Sequence, residues 1–178
     1  KNVKLMYSDS AVEIVSACRR LGINHEPSQP GVSHSNAIAE RGNQFVEGGT
    51  TTCLIQAGLP ASFWSYAAPT FCHHFNVRSF DGESPWKRSF GTDFDGSLVP
   101  MGAKVLFKPS SVRGKTEKFH AKGIVGVFAG YQFARGGRWT GRYLVWPLKR
   151  FRRADLREES GGAAATVGAP HVTKQRVF

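Results

Sequence analysis

The sequence predicts an α/β first half followed by a small all-β barrel, and three observations carry the prediction. Apolar residues recur at helical intervals as far as Phe75 and alternate with polar ones from about Ala103. The stretch between, Asp81 to Gly102, mixes glycine, serine, proline and acids, which is the composition of a connection. Charge divides the chain at the same place: residues 1–80 carry six bases and five acids, whereas residues 104–153 carry thirteen bases and one acid, Glu117. A length of 178 residues accommodates two small domains, 1–80 and 103–178, flanking a linker 81–102.

Val3 to Tyr7 alternates weakly and ends at Ser8-Asp9-Ser10, the pattern of a short strand meeting a helix start. Ser10 and Glu13 have capping-box spacing, Val12, Val15 and Leu21 follow at near-helical intervals, and Gly22 stops the helix. Ile23 to Glu26 reads as a second strand and Pro27 to Ser33, with two prolines and a glycine, as a loop. Ser35 or Asn36 caps a longer helix from Ala37 to Gln56, in which Gly48-Gly49 costs about 1 kcal/mol each relative to alanine and predicts a loosened or kinked middle. Pro60 opens a third helix, where Phe63, Trp64, Ala67, Ala68, Phe71, Cys72 and Phe75 form a broad apolar stripe. Pro69 inside it lacks an N–H and predicts a bend. Two strands are too few to cover these helices, so the first half is expected to expose apolar surface, through which copies of the chain could associate.

In the second half, Ala103 to Lys108 and Gly123 to Tyr131 read as strands, Gly136-Gly137 as a tight turn and Trp139 to Pro147 as the returning strand. His171 to Phe178 reads as a last strand, after a Gly/Ala-rich segment, 160–170, that reads as flexible. Several short strands, too few for a sandwich, predict a barrel.

No run approaches the roughly 20 apolar residues of a spanning helix, and no leader pattern opens the chain, so neither membrane insertion nor secretion is expected. Cys18, Cys53 and Cys72 are odd in number and widely spaced, and read as buried thiols in a reducing, intracellular compartment rather than as disulfides or a thiolate zinc site. The first residue is Lys1, from which a segment of a longer protein is expected.

The excess of twelve positive charges between Lys104 and Arg153 favours a polyanionic partner, DNA or RNA, because each neutralised phosphate releases condensed counterions. The candidate contacts are Lys104, Lys108, Arg135, Arg138, Arg142, Lys149, Arg150, Arg152 and Arg153, with a solvated face as the alternative. Aromatic residues interleave with these bases, and read as core more than as stacking platforms. Among the acids, Asp9 stands where a strand ends and a helix begins, from which a carboxylate projects into a crevice, although structural caps use the same position. Glu40 shares a polar helix stripe with Asn36, Asn43 and Glu47, opposite Ile38 and Phe45. His73 and His74, adjacent on a helix, point in different directions and do not read as a shared metal site.

The run Asn36-Ala37-Ile38-Ala39-Glu40-Arg41 resembles the Asn-Gly-x-x-Glu-Arg signature that carries the last catalytic carboxylate in integrases of copia-type retrotransposons. Neighbouring segments agree in order: Lys4 to Glu13 resembles the stretch with the second catalytic aspartate, Gly22 to His25 the following short strand, and Gly58-Leu59-Pro60 with Phe63-Trp64 the next helix. Ser84-Pro85-Trp86 is similar to the linker, and Gly102 to Val105 with Gly126 to Tyr131 to the small β-barrel beyond the integrase core.

The resemblance implies a ribonuclease-H-like core, truncated here to two strands and three helices, ahead of that barrel. It implies that Asp9 and Glu40 are the second and third acids of a set that holds two Mg²⁺ (or Mn²⁺) ions for in-line attack on phosphate. Asn36 and Arg41 of the same signature join the nucleic-acid contacts, and DNA integration in the nucleus is the implied role. The chain departs from the pattern at Ser10-Ala11, where asparagine and glycine are usual, and at Ala37, where glycine is usual. The first catalytic aspartate and three central strands would precede Lys1. An integrase fragment inactive by itself is therefore expected, and the other reading is a non-catalytic nucleic-acid-binding or interaction module derived from a retroelement.

Overall fold

The computed structural model describes residues 3–28, 37–79, 81–108, 123–157 and 162–174, and the chain forms two compact units, 1–45 and 46–178. The fold is mixed α/β. The division falls at Phe45/Val46, so the segment 81–102 lies within the second unit rather than between units.

In the first unit, β1 (Leu5–Ser8) and β2 (Asn24–Pro27) pair in parallel, with Leu5 opposite Asn24, and α1 (Val12–Leu21) connects them. Gly22 ends α1 in the left-handed conformation, its N–H bonded to the Arg19 carbonyl. The expected capping box does not form. Ala11 is the N-cap and makes no side-chain bond, so the helix begins one residue too late for Ser10 and Glu13 to reach each other's N–H groups. The α1 side chain of Cys18 is buried with its Sγ 3.6 Å from the Met6 sulfur, and Ser8 Oγ lies 2.9 Å from His25 Nε2. Parallel sheets are normally covered on both faces. Here every residue of β1 is at least partly accessible, and Val12 (78% exposed), Leu21 and Ile38 (91%) stand out to solvent. The expected apolar surface is present.

The helix α2 (Ala37–Ala57) begins in the first unit and ends in the second. It runs without interruption through Gly48-Gly49, contrary to the expected loosening. A Cβ on Gly49 would lie 2.1 Å from the Phe71 ring, so the glycine admits that ring against the helix. After a 3₁₀ turn (Ala61–Phe63), α3 (Trp64–Val77) continues through Pro69, and Thr70 Oγ1 donates to the Tyr66 carbonyl at 2.8 Å.

The expected linker contains α4 (Pro85–Phe90), with Ser84 as N-cap accepting from the Lys87 N–H at 3.1 Å and proline at the first turn. Then follow β3 (Lys104–Phe107), β4 (Ile124–Phe133), β5 (Trp139–Pro147), a 3₁₀ helix (Leu148–Arg153), α5 (Gly162–Val167) and β6 (His171–Thr173). The strands form one antiparallel sheet in the order β3-β4-β5-β6. This is an open sheet, not the expected closed barrel. Near its two outer strands Thr173 Oγ1 donates to the Lys108 carbonyl at 3.2 Å, but no ladder joins β3 to β6 among the described residues. The segment expected to be flexible carries α5, whose Ala163 and Val167, four apart, are both buried.

Alternation along β4 and β5 produces two cores. Ala129 and Trp146 pack with Leu54, Phe63, Ala67, Ala163 and Val167, while Phe128, Tyr131, Tyr143 and Val145 pack with Val105 and Phe107. A register shift between Phe128 and Gly130 coincides with Gly130 at φ 133°, where a Cβ would stand 2.5 Å from Thr70 Oγ1. Only glycine lets α3 approach the sheet so closely. Trp146, fully buried, meets Phe63 and Tyr66 edge-on at 5.2 and 4.9 Å, and its indole N–H donates to the Gly168 carbonyl at 2.9 Å.

Candidate nucleic-acid interface

Pro147 ends β5 and sends the chain into the 3₁₀ helix Leu148–Arg153, which carries four of the sequence's candidate bases. Phe151 fastens this turn to the core, its ring stacked at 6.2 Å on Phe63 and 6.0 Å from Trp146. With that ring turned inward, Lys149, Arg152 and Arg153 face solvent. Lys149, Arg150 and Arg153 line an open cleft of about 820 Å³ together with Thr166, Val167, Gly168 and Ala169, and among the described residues no acid lines it.

Arg150 differs from its neighbours. Its guanidinium donates to the carbonyls of Val167, at 3.3 Å, and Ala169, at 2.5 Å, and lies 3.2 Å from His171 Nε2. It thereby fastens the end of α5 and the start of β6 to the 3₁₀ helix, a structural task that the sequence did not disclose. Partial burial, then the charges of Arg150 and Lys149, hold His171 below the ordinary histidine range.

The remaining candidates occupy other places. Arg135 and Arg138 are exposed on the turn between β4 and β5, and Arg142 is partly buried, its carbonyl accepting from the Trp139 indole N–H at 2.9 Å. The nine residues of β5, at about 3.3 Å each, set Arg135 and Arg138 roughly 25–30 Å from Lys149–Arg153, with Arg142 partway along the strand. The candidate bases of this hairpin are therefore spread along β5 and do not form one cluster. Lys104 and Lys108 are exposed at the two ends of β3.

Asp9 is exposed directly after β1, and Glu40 and Arg41 are exposed in the first turns of α2. Asn36, with the proposed cap at Ser35, lies outside the described residues. Among the described residues no group of three or more His, Cys, Asp or Glu side chains is arranged to hold a metal. A pair of Mg²⁺ ions needs several anionic oxygens converging on each metal, and no catalytic step is assigned to Asp9 and Glu40.

A polar cluster that sequence reasoning missed lies between α3 and the sheet. His73 is buried at 3% exposure among Phe94, Tyr131, Phe133 and Trp86, at ring distances of 4.2 to 5.4 Å, and its Nε2 has no hydrogen-bond partner among the described residues. Burial first, and the neighbouring His74 second, push its pKa down to about 4. His74 Nε2 lies 3.0 Å from the Tyr131 hydroxyl, and burial lowers its pKa too. Both imidazoles thus border one tyrosine instead of diverging. The adjacent histidines on an apolar stripe were the available signal, but the sequence reading only set metal binding aside and did not ask what they pack against.

The chain is 35% identical over 81 residues, 43% of its length, to the retrovirus-related Pol polyprotein from transposon TNT 1-94 of Nicotiana tabacum. The match covers 6% of that polyprotein. No protein-family model and no solved structure matches the chain. No helix among the described residues is long and apolar enough to cross a membrane. The similarity supports a retrotransposon-polyprotein origin for this segment.

Proposed function

We propose that this segment belongs to the integrase part of a retrotransposon polyprotein and contributes nucleic-acid binding to DNA integration, without performing strand transfer by itself. The observation that carries the proposal is the cleft that Lys149, Arg150 and Arg153 line, flanked by Arg152 on a turn that Phe151 packs against the core. Cations on such a turn suit phosphate oxygens, which position a polymer without reading its sequence. Polynucleotidyl transfer is the ancestry that the integrase resemblance implies for Asp9 and Glu40, and a nuclear location follows from the same resemblance.

The test is titration of the full chain with a labelled duplex, a single-stranded RNA of equal length and poly-glutamate, at several salt concentrations. Saturable binding to the nucleic acids, weakly dependent on sequence and falling steeply with salt, is the expected result. Equal affinity for poly-glutamate would reduce the cleft to a general polyanion surface. Mg²⁺-dependent joining of DNA ends by this chain would overturn the non-catalytic part of the proposal.

A further inference from the structure

At the turn end of β5, a second cleft of about 430 Å³ combines aromatic walls with carboxylates. Trp86 and Phe90 of α4 line it together with Trp139 of β5, and Asp93, Asp95 and Arg138 are also among its lining residues. The rings form a connected series: Trp86 is 4.3 Å from Phe90 and 5.4 Å from Phe94, and Phe94 is 4.9 Å from Trp139. Burial of Trp86 and the bond from the Trp139 indole to the Arg142 carbonyl fix these walls before anything binds. Asp93 is already paired with Lys87 at 3.0 Å, whereas Asp95 is exposed and has no ion pair or hydrogen bond among the described residues. Charge here runs against the rest of the molecule: residues 81–95 hold four acids against Lys87 and Arg88, in a chain of net charge +11.

We propose that this cleft receives an arginine or lysine side chain from a basic segment of another protein. Aromatic faces attract a cation through their quadrupole, and a neighbouring carboxylate adds the ionic part. The other occupants are disfavoured on the same chemistry. A nucleobase stacked on Trp139 would bring its phosphate toward Asp93 and Asp95, where like charges repel. A metal ion would find ring faces where it needs converging oxygens. The inference rests on the acidic island and not on the cleft beside α5, and it shares only Arg138 with the candidate nucleic-acid contacts.

The full chain, labelled so that its indole N–H resonances are visible, is titrated with an end-blocked peptide of three arginines separated by glycines, and with the same peptide carrying citrulline for arginine. The arginine peptide should shift the Trp139 indole resonance saturably and the citrulline peptide should not. Asp95→Asn, at an exposed position, should weaken the arginine peptide about fivefold to tenfold while leaving duplex-DNA binding at least as strong. Equal shifts with citrulline, or unchanged affinity in Asp95→Asn, would overturn the proposal. So would an oligonucleotide that moves the same resonance and displaces the peptide, which would make the cleft a base-stacking site.

Discussion

The Tyr131 hydroxyl lies 3.0 Å from His74 Nε2, joining α3 to β4 across 57 positions of sequence. The same oxygen accepts from the Val99 N–H at 2.9 Å and donates to the Ser97 carbonyl at 3.2 Å. A phenol has one proton and two lone pairs. With the proton given to Ser97, both lone pairs are filled when His74 carries its proton on Nε2. Burial then holds the tyrosine well above its ordinary pKa, and it stays a neutral structural group.

Tyr131→Phe should therefore cost more than a single hydrogen bond. It leaves the partners of three part-buried contacts without the hydroxyl, and a loss of about 2–3 kcal/mol in urea unfolding is expected. Tyr143→Phe removes only the bond from the Ser97 N–H, 2.8 Å long, and should cost about 1 kcal/mol. Equal costs for the two variants would show that Tyr131 is not the hub of this segment.

His73 makes the fold sensitive to acid. Its pKa is about 4 in the folded chain, against about 6.5 when unfolded. Above about pH 6.5 the imidazole is neutral in both states and its contribution is fully present. As pH falls from there toward 4, the unfolded chain takes up a proton that the folded chain refuses, so stability is lost across that window, by about 3 kcal/mol at most. His73→Phe keeps a ring among Trp86, Phe94 and Tyr131 and removes both the titration and the unpartnered Nε2. Chemical unfolding at pH 7 and pH 4.5 should show a smaller difference for this variant than for the parent chain.

Gly130 should tolerate no side chain. At φ 133° a Cβ is strained wherever it points, and here it would meet Thr70 Oγ1 at 2.5 Å. Gly130→Ala is expected to cost about 2 kcal/mol or more, combining backbone strain with the clash. In a Thr70→Ala background part of that cost should disappear, because the obstructing hydroxyl is gone while the strain remains. Strict additivity of the two changes by thermal unfolding would place the penalty in the backbone alone.

Elements whose period matches their surroundings were legible in the sequence. Trp139 to Pro147 alternates because β5 has a core on each face, and the stripe from Phe63 to Phe75 marks α3 because it lies along the sheet. What escaped is what tertiary contacts decide. The six residues of α5 show only Ala163 and Val167 as an apolar pair, too short a signal to distinguish from a flexible Gly/Ala tract, and Arg150 and Trp146 hold the carbonyls that follow it. The helix α4 did carry a readable start, Ser84 followed by Pro85, but the surrounding glycines and acids outweighed it. Closure of the sheet depends on strand pairing at long range, which no local pattern records. For the candidate site, the basic residues were legible by type, while their separation along β5 and the inward turn of Arg150 were not.

That separation decides how the basic residues should be tested. Arg150 cannot be grouped with its neighbours, because its loss frees the carbonyls of Val167 and Ala169 and loosens the turn that displays the others. Arg150→Gln should lower the melting temperature and weaken binding through the fold. Lys149, Arg152 and Arg153 are exposed and make no side-chain hydrogen bond or ion pair among the described residues, so replacing all three with glutamine should leave the melting temperature close to that of the parent. If each contacts one phosphate, the log–log salt slope on duplex DNA should fall by about 0.9 per residue, roughly 2.7 for the triple change. Replacing Arg135 and Arg138, at the far end of β5, reports whether one polymer spans both groups. A further fall in slope means that the polymer runs along the strand, and an unchanged slope confines it to the cleft beside α5.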